Sequence, residues 1–318
     1  MKIHYDLEKL PIFKNAVVTI GTFDGVHTGH KKILQQLKAE TESINGESVV
    51  VTFHPHPRNI VGDTSGVLLL TTLEEKIQLL TNEGIHHLVV VPFDESFSNL
   101  LADEYIANFL HKKLQPHTLI IGYDHQFGKG RKGNYELLEE YGRRLGFFVK
   151  EIPKQVVEQS AVSSSRVRKA LLHQEIETAK ELLGYHYFFE GIIIHGDQIG
   201  RTIGYPTANI QINHEEKLVP GDGVYAVTVE IKNKKYQNQQ FGGMMYIGSR
   251  PVVNGKRRVI EVNIFDFDDD IYDATMKVDV VTYIRGDMPL KSLDALKEQL
   301  AIDKINCEKA LAEKFSHR

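Results

Sequence analysis

The chain has 318 residues, 42% hydrophobic and 25% charged, a balance that supports packed cores, excludes a disordered chain and, at ~150 residues per domain, predicts two domains. With 38 Lys and Arg against 42 Asp and Glu, the net charge of −4 supplies no overall positive field for a nucleic-acid backbone, and no such partner is expected. One cysteine, Cys307, excludes an internal disulfide, charges within Met1–Leu10 argue against a secretion signal, and runs such as Leu88–Phe93 are too short to span a bilayer, so a cytoplasmic protein with no membrane partner is expected.

Short β-rich runs alternate with amphipathic stretches through the first half. Strands are predicted near Val17–Gly21, Val49–Phe53, Leu88–Val91, Thr118–Gly122 and Phe147–Ile152. Helices are predicted near Gly29–Thr41, Leu73–Glu83, Ala102–Leu114 and Tyr135–Leu145. This alternation is that of an α/β fold with a doubly wound parallel sheet. Ser163–Ser165 opens a helical region, Val167–Leu172 and Ile176–Leu183, which Gly184 ends. Five further strands are predicted, Phe188–His195, Val224–Ile231, Gly242–Ile247, Arg257–Phe265 and Met276–Ile284, before a closing helix at Leu293–Phe315. These describe a small antiparallel β-barrel with a terminal helix. The change of pattern near Gly184–Tyr187 divides the chain into domains 1–184 and 185–318.

The sharpest local motif is Gly21-Thr22-Phe23-Asp24-Gly25-Val26-His27-Thr28-Gly29-His30, where the first strand meets the first helix. In a doubly wound sheet, ligands bind at the carboxyl ends of the strands, where a helix N-terminus offers free N–H groups to phosphate. His27 and His30, three residues apart, can face one bound group. Gly122-Tyr123-Asp124-His125-Gln126-Phe127-Gly128 follows the fourth strand and reaches the same edge of the sheet. Ser163-Ser164-Ser165-Arg166-Val167-Arg168 sets hydroxyls and two guanidinium groups at a helix start, a cradle for a polyphosphate. His54-Pro55-His56-Pro57 has the spacing of two metal ligands without a third nearby, so it is read as a strand-end loop near a nucleotide.

In the second half, Gly196-Asp197-Gln198-Ile199-Gly200-Arg201-Thr202-Ile203-Gly204 forms a flexible loop suited to anions, and Tyr205-Pro206-Thr207-Ala208-Asn209 follows it. Thr207 and Asn209 project to one side of an extended chain, a hydroxyl and an amide oxygen fit to help hold Mg²⁺. In Val259-Ile260-Glu261-Val262-Asn263-Ile264, alternation leaves Glu261 and Asn263 opposite an apolar face. Asp266, Asp268, Asp269 and Asp270 lack the spacing of a calcium loop and are read as a solvated turn.

Together these segments resemble the bacterial bifunctional riboflavin kinase/FAD synthetase family. The resemblance rests on the Gly21–His30 run, Thr52–Pro57, Gly122–Gly128, Ser163–Arg168 and Pro206-Thr207-Ala208-Asn209, with Gly223–Ala226 and Ile247–Pro251 also fitting. It implies an N-terminal nucleotidyltransferase domain that joins FMN to the α-phosphorus of ATP, giving FAD and pyrophosphate. It implies a C-terminal kinase domain that phosphorylates riboflavin with ATP and Mg²⁺. By resemblance, His27, His30 and Arg168 act on the adenylyl group, with Arg168 and Ser164 holding pyrophosphate. Gly21, Phe23, Asp24, Gly29, Asn59, Asp124 and Phe127 line the nucleotide and flavin pocket. Gly196, Gly200, Arg201, Gly204 and Arg285 bind substrate in the second half, Thr207 and Asn209 hold the metal and phosphates, and Glu261 is the catalytic base.

Tyr246, Asn263 and Asp273 stand where the family usually has Asn, His and Gly, and the segment at Met288 is poorer in its usual Lys-Phe pattern. These departures motivate an alternative, a single-activity FAD synthetase whose barrel only binds flavin. A non-enzymatic RNA-binding protein is the other rival, opposed by the charge and by the lack of an aromatic and basic sheet face. The expected partners are ATP, riboflavin and FMN, and an oligomer is compatible with the sequence.

Overall fold

A computed structural model describes residues 1–61, 66–122, 125–152, 162–196, 199–252, 255–289 and 292–315. The chain forms two compact units, Met1–Ser164 and Ser165–Arg318.

The first unit carries strands β1 (Lys2–His4), β2 (Val17–Ile20), β3 (Ser48–His54), β4 (His87–Pro92), β5 (Thr118–Gly122) and β6 (Phe148–Ile152) in one sheet of order β1-β4-β3-β2-β5-β6. Every pairing is parallel. The central strands are buried and mostly apolar because both faces are covered, with Thr19 and Thr52 as buried hydroxyls among them. Its helices are α1 (Thr28–Ser43), α2 (Pro57–Val61), α3 (Leu73–Asn82), α4 (Glu95–Ser98), α5 (Ala102–Glu104, continuing as a π-helix over Tyr105–Leu114) and α6 (Tyr135–Leu145). Alternation sorts the strand residues between two layers. Val17, Val50, Leu88 and Val90 pack with Leu34, Leu37 and Leu80 of α1 and α3. Val18, Val49, Val51 and Val89 pack with Ile106, Phe109 and Leu138 of the π-helix and α6.

Local chemistry sets several helix ends. Thr72 and Glu75 form a reciprocal capping box at α3, while Asn134 caps α6 and Gly146, at φ +84°, ends it. From β2 the chain builds β3 and β4 to one side, then crosses to β5 on the other. The β2–β5 boundary is therefore the switch point, and the loop into α1 lies at its carboxyl end. The edge strand β1 has no counterpart among the predicted strands, because three half-exposed residues give no readable period.

In the second unit, α7 (Ser164–Leu172, from Ser165 onward) and α8 (Ile176–Leu183) lead into β7 (Phe188–Ile194), α9 (Ile199–Thr202), β8 (Ala208–Gln211), β9 (Gly223–Lys232), β10 (Phe241–Val252), β11 (Gly255–Ile264), β12 (Thr275–Arg285) and α10 (Leu293–Phe315). The strands close into an antiparallel barrel of order β10-β11-β8-β7-β12-β9. Five barrel strands are predicted from sequence and six form; β8 is the addition, in the stretch read as extended at Thr207 and Asn209 without being counted as a strand. On the barrel wall Ala226, Met244, Phe265 and Val281 pack against Cys307 and Leu311 of α10.

The units divide earlier than the change of sequence pattern near Gly184. The physical reason is that the α7–α8 region bonds to the barrel: Gly221 N–H donates to the Leu171 carbonyl at 3.0 Å and Gln174 Nε2 to the Asp222 carbonyl at 3.3 Å. The acidic stretch after β11 forms a turn in which Asp270 accepts from Tyr272 N–H at 3.1 Å. Among the described residues, no group of three or more His, Cys, Asp and Glu could hold a metal, and no helix is long and apolar enough to cross a membrane.

Candidate functional site

The loop from β2 into α1 is wound tightly, with φ of +47° at Phe23, +80° at Gly25 and +34° at Val26. Glycine accepts such angles; a β-branched or bulky residue does so at a cost of about 1–3 kcal/mol unless its surroundings fix it. Here they do. The Asp24 carboxylate, 1% exposed, accepts from Leu70 N–H at 3.0 Å, Thr71 N–H at 3.1 Å and the Thr71 hydroxyl at 3.3 Å. Gly25 N–H donates to Thr71 Oγ1 at 3.1 Å, and the Phe23 and Val26 side chains are buried among the α1–α3 layer.

This loop delivers His27 as the N-cap of α1, where its Nδ1 accepts from His30 N–H at 3.3 Å. That bond leaves the neutral ring's proton on Nε2. The His30 ring stacks on it, with centroids 3.7 Å and planes 11° apart, and the Phe23 ring lies 5.0 Å away. His30 Nδ1 is buried with no hydrogen-bond partner among the described residues. Burial, reinforced by the charges of His27 and Lys76, holds His30 well below the ordinary histidine pKa. Two stacked imidazoles thus share the start of a 16-residue helix, whose first N–H groups and dipole favour an anion.

Ser164 comes to the same loop, donating its hydroxyl to the Asp24 carbonyl at 3.1 Å. Gly29 lies under the His27 ring, where an added Cβ would sit 3.2 Å from it. Gly21 precedes the turn, its position for a Cβ 3.2 Å from the Phe23 ring. Phe127 is buried and stacks on Tyr105 with centroids 4.9 Å apart, so it is a wall of the core. Asn59 accepts from Val67 N–H at 2.9 Å. Arg168 lies further along α7, within the second unit. Asp124 lies outside the described residues. The sequence reading missed Lys76, which is buried on α3 beneath this loop. Its signal was present, because Leu73, Lys76, Ile77 and Leu80 form one helical stripe in which a lysine replaces an apolar residue.

In the barrel, β8 and β11 place Asn209 directly opposite Glu261, and β10 sets Tyr246 on the other side of Glu261. Directly opposed residues of antiparallel strands share a face, so the three side chains form one row. Glycines make room around them. A Cβ on Gly196 would lie 2.1 Å from Asn209 Nδ2, and one on Gly200 would lie 2.2 Å from the Tyr205 carbonyl and 3.6 Å from Thr207 Oγ1. Gly204 turns the chain at φ +85°. Thr207 stands between two cavities. One, of about 120 Å³, is shared with exposed Arg201 and with Asp268 and Tyr272. The other, of about 240 Å³, is lined by Glu261, Tyr246, Met244, Met288 and Leu300.

Asn263 donates to the Pro206 carbonyl at 2.7 Å, pinning the residue before Thr207. Arg285 also lines the larger cavity, but its guanidinium is engaged by protein: bidentate to Asp303 at 2.8 and 2.7 Å and donating to the Gly286 carbonyl at 2.8 Å. Asp303 is 1% exposed, and this pair raises the Arg285 pKa further.

The FAD synthetase family model matches residues 10–166 and the riboflavin kinase model residues 183–311. A bifunctional riboflavin kinase/FMN adenylyltransferase of Haemophilus influenzae is 35% identical over 292 residues, covering 92% of this chain and 93% of its own. Its namesake in Buchnera aphidicola subsp. Schizaphis graminum is 37% identical over 295 residues, with coverage of 92% and 93%. Among solved structures, a protein from Streptococcus pneumoniae described as a macrolide-efflux protein superposes with TM-score 0.85 at 31% identity, covering 96% of this chain and 98% of that one.

Proposed function

This chain belongs to the family of bifunctional riboflavin kinase/FMN adenylyltransferases, and we propose that it divides the two reactions between its units in chain order. It phosphorylates riboflavin to FMN and adenylylates FMN to FAD with ATP. The supporting observation is that each unit has its own cluster of polar groups: the stacked His27 and His30 at the start of α1, and the Asn209–Glu261 row beside the glycine loop.

In adenylyl transfer the phosphate of FMN attacks the α-phosphorus of ATP and pyrophosphate leaves. No covalent enzyme intermediate is needed, so positioning and charge stabilisation carry the rate. The N–H groups of α1 and the His27 Nε2–H are the donors for the charge that develops on the α-phosphate. His30, neutral at pH 7, adds a hydrogen-bonding ring held by stacking. Ser164, bonded to the same loop, takes the leaving pyrophosphate; Gly21, Gly29 and Asn59 border the nucleotide, and Phe127 backs the flavin pocket.

In the barrel, Glu261 accepts the proton of the riboflavin hydroxyl as that oxygen bonds to the γ-phosphorus of ATP, and the bond to the bridging oxygen breaks to release ADP. The apolar wall at Met244, Met288 and Leu300 suits the isoalloxazine ring, and the smaller cavity at Arg201 takes ATP. Thr207, the shared wall, lies where the two substrates meet. The oxygens of Thr207 and Asn209 are of the kind a hard cation such as Mg²⁺ takes, and glycine at 196 gives the Asn209 amide room that a Cβ would occupy. Bound there, Mg²⁺ would neutralise phosphate charge. Arg285 acts by fixing α10 over the flavin cavity through Asp303. A cytoplasmic location suits an enzyme that draws on ATP for both reactions.

The test is to incubate the full chain with riboflavin, ATP and Mg²⁺ and separate the flavins with time. FMN should appear first and FAD after it. FAD from added FMN without FMN from riboflavin would establish the single-activity reading instead.

A further inference from the structure

Lys76 is a buried lysine, 6% exposed, in the apolar stripe of α3. Its Nζ donates to Thr52 Oγ1 at 3.3 Å, and the Thr52 hydroxyl donates to the Thr22 carbonyl at 3.1 Å. Thr22 lies between Gly21 and the strained Phe23, at the root of the loop that carries His27. Two residues on, Asp24 is sealed in by Leu70 and Thr71, and its negative charge favours the Lys76 ammonium. We infer that charged Lys76 is a positioning residue for adenylyl transfer, holding the Thr22–Asp24 backbone through Thr52 so that the stacked histidines meet the phosphate.

This inference rests on the reading that the first unit transfers the adenylyl group. The strain at Phe23 and Val26 explains why such a hold is needed, since the turn persists only where its surroundings over-determine it. One ammonium supplies both a donor to the Thr52–Thr22 chain and the countercharge to Asp24. A methionine there would keep the packing and lose both.

The charge is open to titration. Burial pulls the Lys76 pKa down to about 8, and Asp24 opposes that shift. The charged and titratable groups acting around it are Asp24 and His30, with His27 stacked beyond His30. Loss of the Lys76 proton removes a favourable charge near Asp24 and weakens the bond to Thr52, so adenylyl transfer should fall as pH rises through about 8.

The full chain is assayed for FAD from FMN and, in parallel, for FMN from riboflavin, between about pH 6.5 and 9.5. Wild type should lose FAD formation on the alkaline side. Lys76→Met should be slowed ~10-fold or more at pH 7, chiefly in kcat, with a flat alkaline profile, because small displacements of reacting groups carry losses of this size. Lys76→Arg should recover much of the rate and also lack the alkaline fall. Riboflavin phosphorylation should be unchanged in both. If Lys76→Met abolishes the melting transition of the first unit, Thr52→Val decides: it keeps the lysine, cuts the link to Thr22 and should slow FAD formation several-fold. A Lys76→Met protein that matches wild type, or is slowed yet keeps the alkaline fall, overturns the inference. So does a wild-type rate in Thr52→Val. A wild-type chain that makes no FAD from FMN at any pH overturns the adenylyl reading itself.

Discussion

Glu261→Gln separates the proton-accepting role proposed for this side chain from its place in the barrel. Glutamine keeps the length of the side chain and its position between Asn209 and Tyr246, so the cavity wall keeps its shape. What disappears is a group able to take the riboflavin proton. General-base assistance commonly contributes ~10²–10⁴ in rate. In a loose phosphoryl-transfer transition state the attacking hydroxyl loses its proton late, which points to the lower end, ~10². At 1.36 kcal/mol per factor of ten that is about 2.7 kcal/mol of transition-state stabilisation. The assay is single-turnover, with enzyme in excess over riboflavin and the flavins separated after quenching. FAD formation from added FMN in the same preparation should be untouched. Asn209→Ala should behave differently, raising the Mg²⁺ or ATP concentration required, because its amide faces the cradle at Gly196. If Glu261→Gln phosphorylates riboflavin at the wild-type rate, the carboxylate is only part of the strand surface and the base assignment fails.

Other perturbations test the remaining parts. His30→Ala should lower FAD formation by ~10²–10³, the usual loss for one donor in a charge-stabilising site, and leave riboflavin phosphorylation intact; an unchanged rate removes His30 from the reaction. Arg285→Ala leaves Asp303 buried without its partner and should destabilise the barrel unit by about 3–5 kcal/mol in denaturant titrations, whereas a loss below ~1 kcal/mol would show that the pair is not needed. His4, His30 and His87 all lie below the ordinary histidine pKa, chiefly through burial, so the unfolded chain binds more protons below about pH 6.5. Their contribution to stability is complete above that pH and lost as pH falls toward the folded values; a first unit with the same melting temperature at about pH 5.5 and 7.5 would contradict this. Residues 1–184 should make FAD from FMN, and 165–318 should make FMN from riboflavin. A 185–318 fragment lacks the buried Ile176, Ala179, Leu182 and Leu183 and should melt earlier than 165–318; equal melting temperatures would show that α8 is dispensable.

The fold was legible where burial writes directly into sequence. The central strands of the first unit are short runs dominated by valine, isoleucine and leucine, and Thr72, Asn134, Gly146 and Gly184 mark helix ends by local chemistry alone. β8 was legible only as an extended stretch, since four residues are too few to mark a barrel strand; its pairing comes from its neighbours β7 and β11. The histidine pair was visible as spacing, but its stacking depends on a turn forced to positive φ by Asp24, whose partners Leu70 and Thr71 lie far along the chain. Arg285 reads as an anion-binding group until Asp303 of α10 meets it, and Asn263 reads as a departure from the family until it is seen holding Pro206. In each case the missing information is a tertiary partner, which local pattern does not encode.

The barrel is closed by its shortest strand. β8 meets β11 at only two register pairs, Asn209 with Glu261 and Ala208 with Val262, and meets β7 at three. Were this seam to open, β7 and β11 would each present a bare row of N–H and C=O groups, the form of edge that recruits strands from other chains. The residues that fasten the seam are also those assigned to the phosphates and the proton. A ligand gripping Asn209 would act as a clasp on that seam, adding its binding energy to the hold of these few pairs.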